Sequence, residues 1–149
     1  MAYSGVVSVD TLLSVPDFRI NERIFYLVSR LREMTKNEAI VQTRNIGKQI
    51  LAWASQGNIV DFYQNEISER DALLYPPFSV FIKVIAPKQN AERETEKLRE
   101  EFLYWKPDVF RNSIVMRVPH QSWPDEKLGE KLSLLGPEFS IKVDPESIL

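Results

Sequence analysis

The sequence predicts an α/β fold of the α+β type, in which part of a larger α/β domain precedes a small domain with a three-stranded sheet. Residues 78–149 read as strand, helix, strand, helix, strand, an order typical of a sheet that carries helices on one face. Residues 5–44 contain only two strand segments, too few for an independent sheet. The prolines at 76–77 separate the two patterns, because proline stops a helix and holds the chain extended.

The first elements are a strand at 5–10, which is apolar and β-branched, and a loop at 12–19. A helix is predicted over 20–36, with Asn21 as its N-cap. Its apolar side chains recur at helical spacing, at Ile24, Leu27, Val28 and Leu31.

A second strand is predicted at 38–44, again from a short apolar run. Two helices follow at about 46–55 and 59–74. Gly57 and Asn58 separate them, since glycine favours the left-handed conformation that ends a helix. The second helix must stop before the double proline.

The second half alternates two kinds of segment. Strands are predicted at 78–86, 111–118 and 139–144, where apolar residues alternate with others. Charged helices are predicted at 91–105 and 125–135. The helices therefore lie between the strands in the chain, and the more apolar strand face is expected to pack against them.

The composition argues against several classes of protein. The chain has 149 residues, no cysteine and one histidine, so disulfides, thiolate zinc sites and histidine metal clusters are not expected. Its five glycines form no P-loop, dinucleotide fingerprint or nucleophile elbow. We expect no cofactor and no metal. No signal peptide or membrane span is visible, which predicts a cytoplasmic protein without a membrane partner.

One set of residues indicates binding rather than catalysis. The net charge is −2, so any binding to nucleic acid must use a local basic patch. Strand alternation places an aromatic side chain and basic side chains on the sheet face away from the helices. These are Phe81, Lys83, Arg111, Arg117 and Lys142. Stacking plus phosphate neutralisation is how single-stranded nucleic acid is often held. The alternative is a mixed face that is covered or simply solvated.

Several stretches together resemble the C-terminal part of PriA, the primosomal protein N′ family of bacterial replication-restart helicases. The resemblance covers nearly the whole chain, from about Gly5 onward. The matching stretches are GVVSVDTLLSVPDFRINERIF (5–25), AIVQTRN (39–45), FYQNEISERDALLYPPFS (62–79) and IKVDPESIL (141–149). None is specific alone, but the four stand in the family's order and spacing.

The resemblance implies a division into a remnant of the second helicase lobe (1–57), a connecting helix and Pro-Pro joint (58–77) and a PriA-like C-terminal domain (78–149). The joint would be formed by Glu66, Arg70, Tyr75, Pro76, Pro77 and Phe78. It also implies a role in DNA replication restart near the nucleoid. The partners would be single-stranded or branched DNA and the single-stranded DNA-binding protein.

The departures from the family bear on catalysis. The family's glycine- and arginine-rich helicase motif is degenerate here, because its two arginines fall on Met34 and Asn37. Neither side chain neutralises phosphate charge. The resemblance therefore predicts a chain that is not an enzyme on its own. Two alternatives remain: a protein-interaction scaffold that binds no DNA, and a fragment of an ATP-dependent 3′–5′ DNA helicase whose ATP-binding lobe lies elsewhere.

Overall fold

The computed structural model describes residues 2–15, 17–145 and 148. The chain divides into two compact units, Met1–Glu69 (unit 1) and Arg70–Leu149 (unit 2). Helices and strands are mixed in both, and the predicted α+β class is confirmed. Among the described residues, no helix is long and apolar enough to span a membrane.

Unit 1 is a small parallel sheet with helices. Its elements are β1 (Tyr3–Val6), α1 (Asp10–Leu13), α2 (Ile20–Met34), β2 (Glu38–Val41), α3 (Gln49–Gln56) and α4 (Ile59–Ala72), whose last residues belong to unit 2. β1 and β2 pair in parallel, with Tyr3 opposite Glu38 and Val6 opposite Val41. The helices supply the core, which contains Ile24, Phe25, Val28, Ile50, Ala54 and Phe62.

Three details of unit 1 differ from the sequence prediction. The strand predicted at 5–10 lies at Tyr3–Val6, and Asp10 instead begins α1. The Asp10 carboxylate binds the segment that follows β2. It accepts hydrogen bonds from the Thr43 hydroxyl at 2.8 Å and from the Arg44 backbone N–H at 2.9 Å. Asn21 does not cap α2, because the N-cap is Arg19. The Asn21 side chain instead donates a hydrogen bond to the Glu66 carboxylate at 3.2 Å.

The predicted break between the third and fourth helices is confirmed. Gly57 is the C-cap of α3 and has φ 73°, a left-handed conformation that glycine adopts without a Cβ penalty. The N–H of Asn58 donates to the Trp53 carbonyl at 2.8 Å, which closes the last turn.

Unit 2 is an antiparallel sheet with helices. Its elements are β3 (Ser79–Ile85), α5 (Ala91–Glu101), a 3-10 turn (Leu103–Trp105), β4 (Asp108–Phe110), β5 (Ser113–Pro119), a second 3-10 turn (His120–Ser122), α6 (Glu126–Ser133) and β6 (Ser140–Val143). The strand order is β4-β5-β3-β6. The sheet thus has a fourth strand, β4, which sequence analysis missed because three residues are too few to show alternation.

The core of unit 2 lies on one face of this sheet. Even-numbered residues of β3 and β5 point into it. They pack beside Leu98 of α5, Phe102 at the end of that helix and Leu128 of α6. The most buried strand residues are Ile82, Val84, Ile114 and Met116, each with no exposed surface. The prediction that the more apolar strand face packs against the helices is confirmed.

The segment before β3 ends the long helix as predicted. α4 ends at Ala72, and Leu74 has φ 51°, which no α-helix accommodates. The Arg70 side chain donates to the Pro76 carbonyl at 3.2 Å, and the N–H of Tyr75 donates to the Arg70 carbonyl at 2.8 Å. The assignment of a joint to Glu66, Arg70 and residues 75–78, with the three segments it separates, stays a prediction.

Candidate nucleic-acid interface

The strand register brings most of the predicted site residues onto one face of the unit 2 sheet. Phe81 lies opposite Arg117 across β3 and β5, and Lys83 lies opposite Lys142 across β3 and β6. Because side chains alternate along a strand, these four residues share the face that points away from the core. We call this set, together with Arg111, the basic face.

Phe81 lies beneath the surface of the basic face. The residue is 1% exposed, and the Tyr75 ring meets the Phe81 ring edge-on at 5.9 Å between centroids. Its backbone is held by Asp144, whose side chain accepts from the Phe81 N–H at 2.9 Å. The burial of Phe81 agrees with the alternative of a covered face, and a base reaches the ring only if the covering residues move.

Lys83 is also covered, as the alternative of a covered face predicts. It is 7% exposed, and its Nζ donates to the main-chain carbonyl of Ile148 at 3.0 Å. Burial lowers the pKa of Lys83, and the positive charge of Lys142 on the neighbouring strand lowers it further. The ammonium is thus less stable here than on an open surface.

Arg117 is half-buried and held from several sides. Its guanidinium forms an ion pair with Asp108 and donates to the Leu73 carbonyl at 3.4 Å. It also lies 5.5 Å from the centroid of the Tyr75 ring, a distance at which a cation and an aromatic face attract. These contacts fix the position of Arg117, and the side chain keeps about a third of its surface in solvent.

Arg111 and Lys142 are the open cations of the basic face. Arg111 lies in the tight turn between β4 and β5 with φ 53°, rather than within a strand as predicted, and it is exposed. Lys142 is exposed on β6, an edge strand of the sheet. The cations most accessible to an anion are therefore Arg111 and Lys142, whereas Arg117 is partly exposed and Lys83 is covered.

Sequence reasoning missed the residues that shape this face. Asp108 neutralises part of the charge of Arg117, and Ile148 covers Lys83. No local pattern identifies either residue, because each meets its partner through strand pairing or the return of the chain. Asp144 has φ 44°, a left-handed conformation that aspartate tolerates, but this angle is visible only in the structure and no local pattern identifies the residue.

A second surface of unit 2 joins aromatic, apolar and basic groups. A groove of about 350 Å³ is lined by Tyr104, Trp105, Lys127, Glu130, Lys131 and Leu134. Tyr104 and Leu134 are each 80% exposed. The Trp105 indole N–H donates to Asp125 at 2.8 Å, which anchors the floor of the groove.

The chain is similar to the replication restart protein PriA of several bacteria. It is 33% identical to PriA of Borreliella burgdorferi over 103 residues, which cover 66% of this chain and 16% of the relative. It is 27% identical to PriA of Thermotoga maritima over 162 aligned residues (96% and 22%) and 35% identical to PriA of Treponema pallidum over 86 (54% and 13%). The chain thus spans less than a quarter of these curated relatives. No family model matches it.

Proposed function

Because this chain is PriA-like, we propose that it acts in DNA replication restart as a non-catalytic module that binds single-stranded or branched DNA. The binding surface would be the basic face of unit 2, and the compartment would be the cytoplasm, at the nucleoid. The relatives are named replication restart proteins, and this chain corresponds to a part of their length.

The strand register is the observation that supports this surface most. It places Lys83, Arg117 and Lys142 on one face, with Arg111 in the turn beside it, in a chain whose net charge is −2. Four cations neutralise at most about four phosphates, and Arg117 is paired with Asp108 while Lys83 is covered, so the slope of log K against log salt is expected to be no steeper than about −3 for single strands. Stacking on Phe81 would come after the first contact, because its ring is covered.

The test is a titration of labelled single-stranded and forked DNA at two salt concentrations. We expect modest affinity that falls with salt, and weaker binding for Arg111→Glu and Lys142→Glu. The matched control is Arg93→Glu, an exposed arginine on α5 that receives the same charge change away from the basic face. Binding that responds equally to all three substitutions would move the site elsewhere.

The non-catalytic part of the proposal has its own measurement. Met34 and Asn37 stand where the family's motif places arginines, and the sequence contains no P-loop. We expect no DNA-stimulated release of phosphate from ATP in the presence of forked DNA. Turnover above background would favour the alternative of a helicase fragment that works with an ATP-binding lobe.

A second candidate function is binding to the single-stranded DNA-binding protein, for which the groove beside α6 provides support. Its exposed Tyr104 and Leu134 suit an apolar side chain, and Lys127 and Lys131 suit carboxylates. The experiment is a pull-down with an acidic tail peptide of that protein, comparing Lys127→Glu with Lys88→Glu, an exposed lysine outside the groove. We expect that Lys127→Glu no longer captures the peptide and that Lys88→Glu still does. Equal capture by both variants would exclude the groove as the binding site.

A further inference from the structure

Two lysines lie directly opposite each other in the unit 2 sheet. Lys83 of β3 and Lys142 of β6 are register partners, so their side chains leave neighbouring backbones on the same face. Like charges at such a position destabilise a sheet. Lys83 adds a second cost, because it is 93% buried and its ammonium has lost most of its water.

Among the described residues, the neighbouring charged groups form no ion pair with either lysine. Arg117 and Asp108, on β5 and β4, are paired with each other. Asp144, just beyond β6, uses a carboxylate oxygen to accept from the Phe81 N–H. Within residues 2–15, 17–145 and 148, no recorded ion pair contains Lys83 or Lys142.

Lys83 also has hydrogen-bonding capacity to spare. An ammonium carries three N–H donors. In the described part of the chain, Nζ of Lys83 makes one hydrogen bond, to the Ile148 carbonyl at 3.0 Å. A ligand that suits the remaining donors is an anion with several oxygens, and Lys142 is exposed on the edge strand from which such an anion arrives.

A purely structural role explains only half of the pair. Lysine on an edge strand hinders pairing with other chains, which accounts for Lys142. The hydrogen bond to the Ile148 carbonyl gives Lys83 one structural contact, but a single neutral acceptor does not offset the repulsion and the loss of water that valine or threonine would avoid at this buried position.

We propose that Lys83 and Lys142 together form a phosphate-binding subsite on the basic face of unit 2. The ligand is a phosphate group, either a phosphodiester of nucleic acid or a free phosphate. The first source rests on the proposed DNA-binding function, and the second does not. A bound phosphate places negative charge between the lysines and removes their repulsion.

The direction of the Lys83 pKa makes the subsite measurable. Burial and the Lys142 charge lower this pKa in the free protein. A bound phosphate stabilises the ammonium, so it should raise the pKa of Lys83. Lysine ε-methylene NMR signals, followed through a pH titration, report the change at each residue.

The experiment adds inorganic phosphate, or a short single-stranded oligonucleotide, to the full chain at constant ionic strength. We expect the ε-methylene signals of Lys83 and Lys142 to shift together and the pKa of Lys83 to rise. Loss of one charge-assisted partner should weaken phosphate binding about tenfold in Lys142→Met. Lys88→Met, an exposed lysine elsewhere in unit 2, should bind as wild type.

The outcomes separate this proposal from the DNA-binding function. Shifts with both ligands identify a phosphodiester subsite, and shifts with phosphate alone support the subsite while removing it from DNA binding. Absence of shifts with both ligands overturns the subsite. If the oligonucleotide still binds in that case, the DNA function stands without it. Lys83→Met, which removes the buried charge, should abolish the Lys142 shift while unit 2 stays folded by amide NMR.

Discussion

The sheets of the two units differ in how they are covered. In unit 1, β1 and β2 have four residues each and lie in parallel, and Tyr3 and Ile40 are more than half exposed. In unit 2, six of the seven residues of β3 are buried. Parallel strands are normally covered on both faces, whereas an antiparallel sheet is stable with one face packed. Unit 2 therefore draws its stability from its sheet, and unit 1 from the packing of its helices.

The largest expected effect separates two isoleucines on strands. Ile82 of β3 has no exposed surface, and Ile82→Ala should lower the free energy of unfolding by about 2–5 kcal/mol. Ile40 of β2 is 58% exposed, and Ile40→Ala should change the free energy of unfolding by no more than about 0.5 kcal/mol. Urea unfolding of both variants measures the difference. Similar losses would mean that the small sheet of unit 1 is also a source of stability.

A smaller effect tests the helical character of unit 1. Gly57→Ala should cost about 1–2 kcal/mol, since φ 73° is unfavourable for alanine. A Cβ there would also come within 2.5 Å of the Arg32 guanidinium, although that side chain can shift. The matched control is Gly47→Ala, where a Cβ meets no atom within 4 Å. Thermal unfolding should distinguish the two variants, and equal melting temperatures would contradict the role of the α3 cap.

The smallest effect is a pH dependence in unit 2. The Trp105 indole N–H, and then the backbone N–H of Leu128, hold the pKa of Asp125 below its usual 3.8. A lowered folded-state pKa gives stability that is present above 3.8 and is lost as the pH falls through the folded value. Asp125→Asn cannot titrate and keeps one acceptor oxygen, which can serve the Trp105 N–H or the Leu128 N–H but not both, so it should be less stable than wild type at neutral pH.

The measurement is urea unfolding at a series of pH values from neutral to below 3.8. Wild type should lose more stability over the acidic part of the series than Asp125→Asn. Asp125→Ala, which lacks the capping oxygen, should be less stable by about 1 kcal/mol at neutral pH. Parallel pH profiles for wild type and Asp125→Asn would show that the carboxylate does not contribute.

Local patterns predicted the long elements and missed those set by distant partners. The helix at Ile20–Met34 and the strand at Ser79–Ile85 follow from side-chain spacing. The short strand Asp108–Phe110 does not, because it exists only through pairing with β5. Asn21 was assigned as a cap, but its side chain meets Glu66, far away in the chain.

For the candidate site, the alternation of side chains along the strands predicted which residues share a face, but it did not predict how exposed they are. Phe81, Lys83, Arg117 and Lys142 do share one face, as the period of a strand requires. The burial of Phe81 and Lys83 depends on Tyr75 and on the return of the chain at Ile148, which no local spacing encodes. Binding by these residues stays a proposal, to be tested with the variants above.

The strand order β4-β5-β3-β6 has a consequence for the folding pathway. β4 and β5 are neighbours in the chain, whereas pairing of β3 with β6 joins Ile82 to Val143 and closes a long loop. Loop closure of that length has a high entropic cost, so we expect the hairpin to form early and β6 to dock late. Until then, β3 is an unprotected edge with a nearly continuous apolar sequence, and self-association competes with folding. Pulse-labelled hydrogen exchange during refolding should therefore protect β5 amides before those of β6.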